Sequence, residues 1–314
     1  MPEPGSTTKA TAFDVRGALK EAIARLRAAQ VPSHTLAAEL LLMYSLGCDR
    51  TWLYTNPEKP VDPEVVQAYF ALVARRASGE PTQYLTGKQE FWGLEFEVTP
   101  AVLIPRPETE HVIEVALDRL GPRGIKIDMA TGAPSPELRI ADVGTGSGCI
   151  AVAFAHELPH ATITATDISA AALEVARRNA SRHSVQDRIH FVHTNLLDAY
   201  IDDPLLVSGS RAFDLIASNP PYIARTEAGS LAREVRDHEP DAALFGGPTG
   251  IEMYSRLIEQ AGRLLRTGGI LVLELAYNSA DEVLKMLEAE PHWINVSVTR
   301  DLAGIPRVLA ALRS

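Results

Sequence analysis

Ile140-Ala141-Asp142-Val143 runs without a break into Gly144-Thr145-Gly146-Ser147-Gly148, and a helical stretch from Cys149 to His156 follows at once. Glycines in a strand-to-helix turn let a ligand approach the backbone, and the free N–H groups of the helix start favour negative charge. The same alternation continues down the chain. Strand Thr162 to Thr166 ends in Asp167, and Ser169 caps a helix that presents Leu173 and Ala176. Strands Ile189 to His193 and Phe213 to Ser218 follow, then a helix from Ile251 to Leu265 that stops at Gly268-Gly269. Strand Ile270 to Leu275 and two last strands, Ile294 to Thr299 and Arg307 to Leu312, complete the pattern. Alternating strands and helices mean a parallel sheet with helices on both faces, so the expected fold is a doubly wound α/β sheet.

Before about Gly79 the apolar period is helical. Val15, Leu19, Ile23 and Leu26 form one stripe, and Leu36, Leu40, Met43 and Tyr44 form a second that Gly47 stops. A third helix has Asp62 as N-cap and Pro63 at its first position, then Val66, Tyr69, Phe70 and Val73. These stripes are most simply the core of a small helical bundle. From Gln83 to Ile104 the pattern changes to short strands, with Phe91 to Val98 as a hairpin arm. The expected organisation is a helical domain over 1–82, a β-hairpin linker over 83–104 and the α/β domain over 105–314. Lys126 to Leu138, rich in Gly and Pro, reads as a surface insertion without effect on chemistry.

Asp167 lies roughly 20 residues beyond the glycine turn, suitably placed at a strand end to bind two ribose hydroxyls. The spacing is G-x-G-x-G, and no arginine follows Asp167 to take a 2′-phosphate. An adenosine cofactor suits this better than a dinucleotide. Asn219-Pro220-Pro221-Tyr222, directly after a buried strand, then narrows the chemistry. A planar amide or amino nitrogen is a poor nucleophile because its lone pair is delocalised. To attack a sulfonium methyl group, its two N–H bonds must be held by acceptors. The Asn219 side-chain carbonyl is one acceptor and the Pro220 backbone carbonyl a second. Two prolines stiffen the turn, and Tyr222 can lay its ring on a flat substrate group. S-adenosylmethionine is the cofactor that suits such a turn.

With these residues in hand, the chain resembles the class I S-adenosylmethionine-dependent methyltransferases, specifically the HemK/PrmC-type release factor glutamine methyltransferases. Most particular to that group are Glu90-Phe91-Trp92-Gly93 and Arg106-Pro107-Glu108-Thr109-Glu110. Glu80 to Gly87, Leu103-Ile104-Pro105, Ser218 to Ile223, Glu239-Pro240, Ala243-Leu244 and Gly246-Gly247 extend the resemblance over nearly the whole chain. It implies a seven-stranded sheet with an antiparallel last strand and an N-terminal domain that docks the substrate. It also implies N5-methylation of the glutamine in the Gly-Gly-Gln motif of peptide-chain release factors. Asn219, Pro220, Pro221 and Tyr222 would be catalytic. The cofactor would be held by Gly144, Thr145, Gly146, Ser147, Gly148, Asp167, Asn195, Leu196 and Asn219, with Phe91 either stacked near its methionine portion or packed in the core. Glu108 and Glu110 are either solvated charges at a helix start or shapers of the cofactor pocket, and Arg106 reads as structural. One departure is Asn195-Leu196, where the family usually has an acidic residue before the large apolar one. A neutral asparagine carbonyl still accepts from an adenine amino group, more weakly.

Asn-Pro-Pro-Tyr is shared with DNA amino-methyltransferases, so two rival readings stand beside this one. The first is a DNA or RNA adenine N6-methyltransferase acting on a flipped base. The second is a non-catalytic S-adenosylmethionine-binding partner module. A net charge of −10 weakens the nucleic-acid reading, because non-specific affinity comes from Lys and Arg against phosphate. Two cysteines, Cys48 and Cys149, make no disulfide framework, and Met1 to Ala10 lacks the basic start and apolar run of a signal peptide. The longest apolar runs are too short to span a bilayer. A cytoplasmic enzyme with no membrane partner and no stable nucleic-acid partner is expected. His156-Glu157-Leu158-Pro159-His160 matches H-E-x-x-H, yet Pro159 breaks the helix that would put both histidines on one face, so no metal is expected. His190 and His193 fall on opposite faces of a strand and read as packing or surface residues.

Overall fold

The computed structural model describes residues 13–121, 138–201 and 213–314. The expectations for the first ten residues and for the Lys126 to Leu138 insertion, Leu138 apart, lie outside them. The chain forms two compact units, Met1–Gly87 with Arg233–His238, and Lys88–Ala232 with Glu239–Ser314.

In the first unit, helices Val15–Ala28, His34–Leu46 and Pro63–Ala77 pack around Val15, Ala22, Leu26, Leu41, Leu42, Tyr69 and Val73. Two of the three have side-chain N-caps: the Asp14 side chain accepts from Gly17 N at 2.7 Å, and Asp62 accepts from Glu64 N at 2.8 Å. The fully buried Tyr69 donates its hydroxyl to the Ala38 carbonyl at 3.0 Å. Three differences from the sequence reading stand out, the first being a short helix, Thr82–Thr86, where short strands were expected from Gln83. A short helix, Arg50–Thr55, lies between the second and third expected helices, capped by Asp49. The second helix also buries Ala37, Ala38, Leu41 and Leu42, while Leu36 and Tyr44 are exposed at 46% and 51%. His34–Leu46 is apolar on almost every side, so periodicity alone does not choose its buried face. Arg233–His238 belongs to this unit through an ion pair between Arg76, nearly buried, and Glu234.

The second unit opens with a hairpin, β1 (Lys88–Phe91) and β2 (Leu94–Glu97). Trp92 and Gly93 form its turn with φ of 56° and 68°, so the turn falls inside the stretch read as one arm. A non-glycine residue at positive φ needs support. Trp92 has it: its N–H donates to Glu110 Oε1 at 2.8 Å and its indole Nε1–H to Glu157 Oε1 at 2.9 Å.

The main sheet has seven strands in the order β10-β11-β9-β6-β3-β4-β5. They are β3 (Leu138–Val143), β4 (Ala161–Asp167), β5 (Ile189–His193), β6 (Phe213–Ser218), β9 (Leu265–Glu274), β10 (Trp293–Arg300) and β11 (Pro306–Arg313). Strands β3, β4, β5, β6 and β9 are parallel, and β11 runs antiparallel to both β9 and β10. Side chains alternate between faces, as strand geometry requires. Ile140, Leu215, Ile270 and Val272 face one core layer with helices Glu110–Leu120 and Cys149–Glu157. Ala141, Val143, Ile216, Leu271 and Leu273 face the other, with helices Glu252–Leu264 and Ala280–Glu288. The Gly268-Gly269 pair, expected to stop a helix, sits inside β9 instead. Helix Glu252–Leu264 ends directly at the strand, and the glycines make a bulge where the β6–β9 register shifts.

Candidate active site

From β3 the chain adds β4 and β5 on one side and then β6 and β9 on the other, and α/β sheets bind ligands at such a switch point, beyond the strands' carboxyl ends. A cavity lies there. Gly144 and Gly146 from the turn after β3, Asp167 at the end of β4 and Ile168 just beyond it, Asn195 and Leu196 from beyond β5, and Asn219 and Pro221 from beyond β6 all line it.

The glycine turn has φ of 74° at Gly144 and 55° at Gly146, and a Cβ at either position would meet nothing within 4 Å. Both are thus open to a ligand and confined to glycine by conformation. Gly148 has the opposite constraint, since a Cβ there would lie 3.0 Å from Ala176 Cβ. Thr145 and Ser147 are buried, and neither they nor Gly148 line the cavity. The Thr145 hydroxyl donates to Asp142 Oδ2 at 2.6 Å, and Ala151 N–H donates to the same oxygen at 3.0 Å. Burial pushes the Asp142 carboxyl up to about 7. Of the five turn residues expected to hold the cofactor, Gly144 and Gly146 border the space and the other three build the turn.

The Asp167 carboxylate is clamped by backbone: Oδ2 accepts from Gly146 N–H at 2.9 Å and Oδ1 from Ser169 N–H at 2.8 Å. Its pKa is raised, first by burial, with the N–H bonds opposing. Each oxygen keeps a lone pair for a vicinal diol. Leu196 is held at φ 50°, and Ile168 is a large apolar side chain left 56% exposed at the cavity. Together they offer apolar surface for a flat ring, with the Asn195 carbonyl as a neutral acceptor nearby. Ile168 was absent from the sequence reading, although an apolar residue directly after the strand-end acid was a usable signal. The residues present fit S-adenosylmethionine: a carboxylate for the ribose, apolar walls for the adenine and an open glycine turn.

Phe91 does not join this group. It is 1% exposed, packs edge-on against Phe96 at 6.1 Å between ring centroids and belongs to the core under the hairpin. Its apolar partners take the ring into the core, and Ala101, Val102 and Leu103, not Phe91, are among the residues lining the cavity. Tying the hairpin to the glycine turn, Asn179 donates to the Glu97 and Ser147 carbonyls, each at 2.9 Å, and accepts from Glu97 N–H at 2.7 Å.

Asn219 and Pro221, both half-buried, line the cavity; Pro220 is buried and Tyr222 is half-buried with its hydroxyl 3.4 Å from Glu274 Oε1, and neither of these two is among the lining residues. The Asn219 Nδ2–H donates to Thr109 Oγ1 at 3.0 Å, and the Thr109 hydroxyl donates to Glu274 Oε2 at 2.7 Å. Glu274, the last residue of β9, is 1% exposed, and burial pushes its carboxyl up to about 7 against the bonds from Thr109 and Tyr222. The turn is packed from behind: a Cβ on Gly246 would lie 2.3 Å from the Pro221 carbonyl oxygen, and one on Gly250 2.4 Å from that of Tyr222. Arg106 pairs with the buried Glu239 at 2.5 Å, next to Pro240 and Ala243 of the cavity wall. Glu108 is exposed, and Glu110 supports the hairpin turn. Among the described residues no cluster of His, Cys, Asp and Glu could hold a metal, and His156 and Glu157 are exposed at the end of their helix. No described helix is long and apolar enough to cross a membrane.

A sheet of this order, with an adenosine-fitting cavity at the switch point and Asn-Pro-Pro-Tyr on its rim, defines a class I S-adenosylmethionine-dependent methyltransferase. Residues 17–87 match the PrmC N-terminal domain family and residues 129–237 the methyltransferase small domain family. The chain is 44% identical over 295 residues to the release factor glutamine methyltransferase of Koribacter versatilis, covering 94% of this chain and 97% of that one. With the same-named protein of Nitratidesulfovibrio vulgaris it shares 42% identity over 312 residues, covering 99% and 98%. The chain belongs to the family of release factor glutamine methyltransferases. In fold it also resembles the catalytic domain of hMettl16, with a TM-score of 0.54 at 19% identity over 77% of this chain and 81% of that one.

Proposed function

We propose that this enzyme grips its substrate amide on the Asn219–Tyr222 turn and holds its methyl donor on the Gly144–Asp167 side of the same cavity. The reaction is transfer of a methyl group from S-adenosylmethionine to the side-chain nitrogen (N5) of a glutamine in peptide-chain release factors. The glutamine is that of the Gly-Gly-Gln loop, whose glycines leave the side chain free to enter a narrow cavity. The observation that carries this reading is the joint lining of one cavity by Asn219, Gly146 and Asp167.

The bound cofactor supplies an electrophilic sulfonium methyl group. Asn219 Oδ1 and the Pro220 carbonyl accept the two N–H bonds of the substrate amide, which turns the nitrogen lone pair toward that methyl. The Tyr222 ring flanks the amide plane. Positioning and polarisation supply most of the acceleration, and the proton leaves late. Asp167 orients the donor without touching the reacting atoms. The helical unit over residues 1–82 supplies remote contact area for the release factor, and binding energy of that kind lowers the barrier at the reacting centre. No membrane and no stable nucleic-acid partner enter this cycle, which runs in the cytoplasm.

The test is methyl transfer from labelled S-adenosylmethionine to purified release factor and to duplex DNA, with mass spectrometry of the product. Methyl on the Gly-Gly-Gln glutamine is expected. Methyl on adenine, or on another protein residue, overturns the reading. Asn219→Ala is expected to keep cofactor affinity within a few-fold while turnover falls by about two orders of magnitude or more.

A further inference from the structure

Asn219 has a side chain whose two ends are nearly the same shape and opposite in hydrogen-bonding sense. Only the carbonyl end can accept an N–H from a substrate amide. Something must therefore choose which end faces the cavity. Thr109 Oγ1 has a single hydrogen, and the Glu274 carboxylate takes it at 2.7 Å. The hydroxyl is left with lone pairs alone, so its contact with Asn219 at 3.0 Å requires an N–H from Asn219. The amide carbonyl, Oδ1, is what remains for the cavity. Glu274 also accepts from the Tyr222 hydroxyl at 3.4 Å, so one buried carboxylate holds both ends of the Asn-Pro-Pro-Tyr turn.

We infer that Thr109 and Glu274 are positioning residues for methyl transfer, a buried Glu274–Thr109 relay that locks the Asn219 amide with its carbonyl toward the substrate. The inference rests on Asn219 being the residue that grips the substrate amide. Neither Thr109 nor Glu274 lines the cavity, so they act through Asn219.

The relay has a polarity that depends on charge. As a carboxylate, Glu274 can only accept. Once protonated it can donate to Thr109 Oγ1, which frees the Thr109 hydrogen for Asn219 Oδ1 and lets the amide turn over. Burial places this change at about 7. The groups that face Glu274 are Thr109 and Glu108 of the 107–109 turn, Tyr222, Arg307 on β11, Tyr254 of helix Glu252–Leu264 and Cys149. Arg307 and the Thr109 and Tyr222 bonds favour the carboxylate, whereas burial and Glu108 oppose it. Turnover is thus present above the Glu274 pKa and declines as pH falls through about 7.

Four proteins test this: wild type, Thr109→Val, Thr109→Ser and Glu274→Gln, with Asn219→Ala as reference. Thr109→Val keeps the shape and removes the hydroxyl. It should lower kcat at least about tenfold at pH 8, with KM for release factor and cofactor affinity within about threefold. Thr109→Ser should restore kcat, and both Thr109→Val and Glu274→Gln should lose the decline of kcat between pH 8 and 6. Wild-type kcat and pH profile in Thr109→Val, beside an inactive Asn219→Ala, overturn the relay alone. Wild-type activity in Asn219→Ala overturns the gripping role on which it rests. If Thr109→Val is too unstable to assay, Glu274→Gln decides by its pH profile: an unchanged acid limb rejects the relay.

Discussion

Gly246 approaches the Pro221 carbonyl so closely that a Cβ on Gly246 would lie 2.3 Å from its oxygen. The two belong to adjoining pieces of the site. Gly246 lies in the short strand β8 (Phe245–Gly247), which pairs with β7 (Ile223–Ala224) directly after the Asn-Pro-Pro-Tyr turn. Backbone pressed on backbone leaves the turn no room to relax inward, and only a residue without a side chain permits that.

Gly246→Ala should therefore displace the turn. Overpacking of this kind destabilises by about 1–3 kcal/mol. The larger consequence falls on turnover, which should drop at least about tenfold because small misplacements at a reacting centre are amplified. Cofactor binding, proposed for the Gly144–Asp167 side of the cavity, should stay within a few-fold. Calorimetric titration and a methylation assay on the same preparation separate the two effects, and unchanged turnover would show that the turn can shift without penalty.

Asp167→Ala removes the carboxylate proposed to accept from both ribose hydroxyls and leaves the Gly146 and Ser169 N–H groups without that partner. S-adenosylmethionine binding should weaken by about 1.5–3 kcal/mol. Asp167→Asn keeps one acceptor and should fall between. Equal affinity in wild type and Asp167→Ala, measured by calorimetry, removes Asp167 from the cofactor site.

Leu36 and Tyr44 stand exposed at 46% and 51% on helix His34–Leu46, and Tyr54 is exposed at 61% on the next helix. Apolar side chains that no core claims are suited to a protein partner. Changing Leu36 and Tyr44 together to Ser should raise KM for intact release factor several-fold while cofactor affinity and melting temperature stay put. A chain starting near Gln83 should still bind S-adenosylmethionine and lose most methylation of intact release factor. Full activity in both would sink the docking role of the helical unit.

Local chemistry made much of this structure readable from sequence. Strands β5 and β6 begin and end at the residues their apolar runs indicate, and Ser169 caps its helix, accepting from Ala172 N–H at 3.2 Å. Gly144, Gly146, Asp167 and Asn219 announce themselves because special backbone angles and strand-end acids leave local marks. Where several local patterns fit equally, tertiary packing decided. The all-round apolar second helix turned Leu36 and Tyr44 outward, and Gly268-Gly269 became a bulge instead of a stop. Phe91, attractive as a cofactor neighbour, went into the core with Phe96. What no local reading could supply was Glu274. Its partner Thr109 lies 165 positions away, and Asn219 stands 110 positions from Thr109, so the group that orients the turn is invisible until the sheet closes.

That separation bears on the life of the chain during synthesis. Domains fold as units while the chain emerges at about 5–20 residues per second, amino end first. A nascent chain that has just made Tyr222 holds the glycine turn, Asp167 and Asn219. It still lacks Gly246 behind the turn and Glu274 at the far end of the relay. The β6 edge is bare until β9 arrives to pair with it. The glycine turn and Asp167 are thus made well before Pro240, Ala243 and Met253 of the cavity wall and before the residue that orients Asn219. The orientation of Asn219 waits on Glu274, a residue made late in a chain of 314.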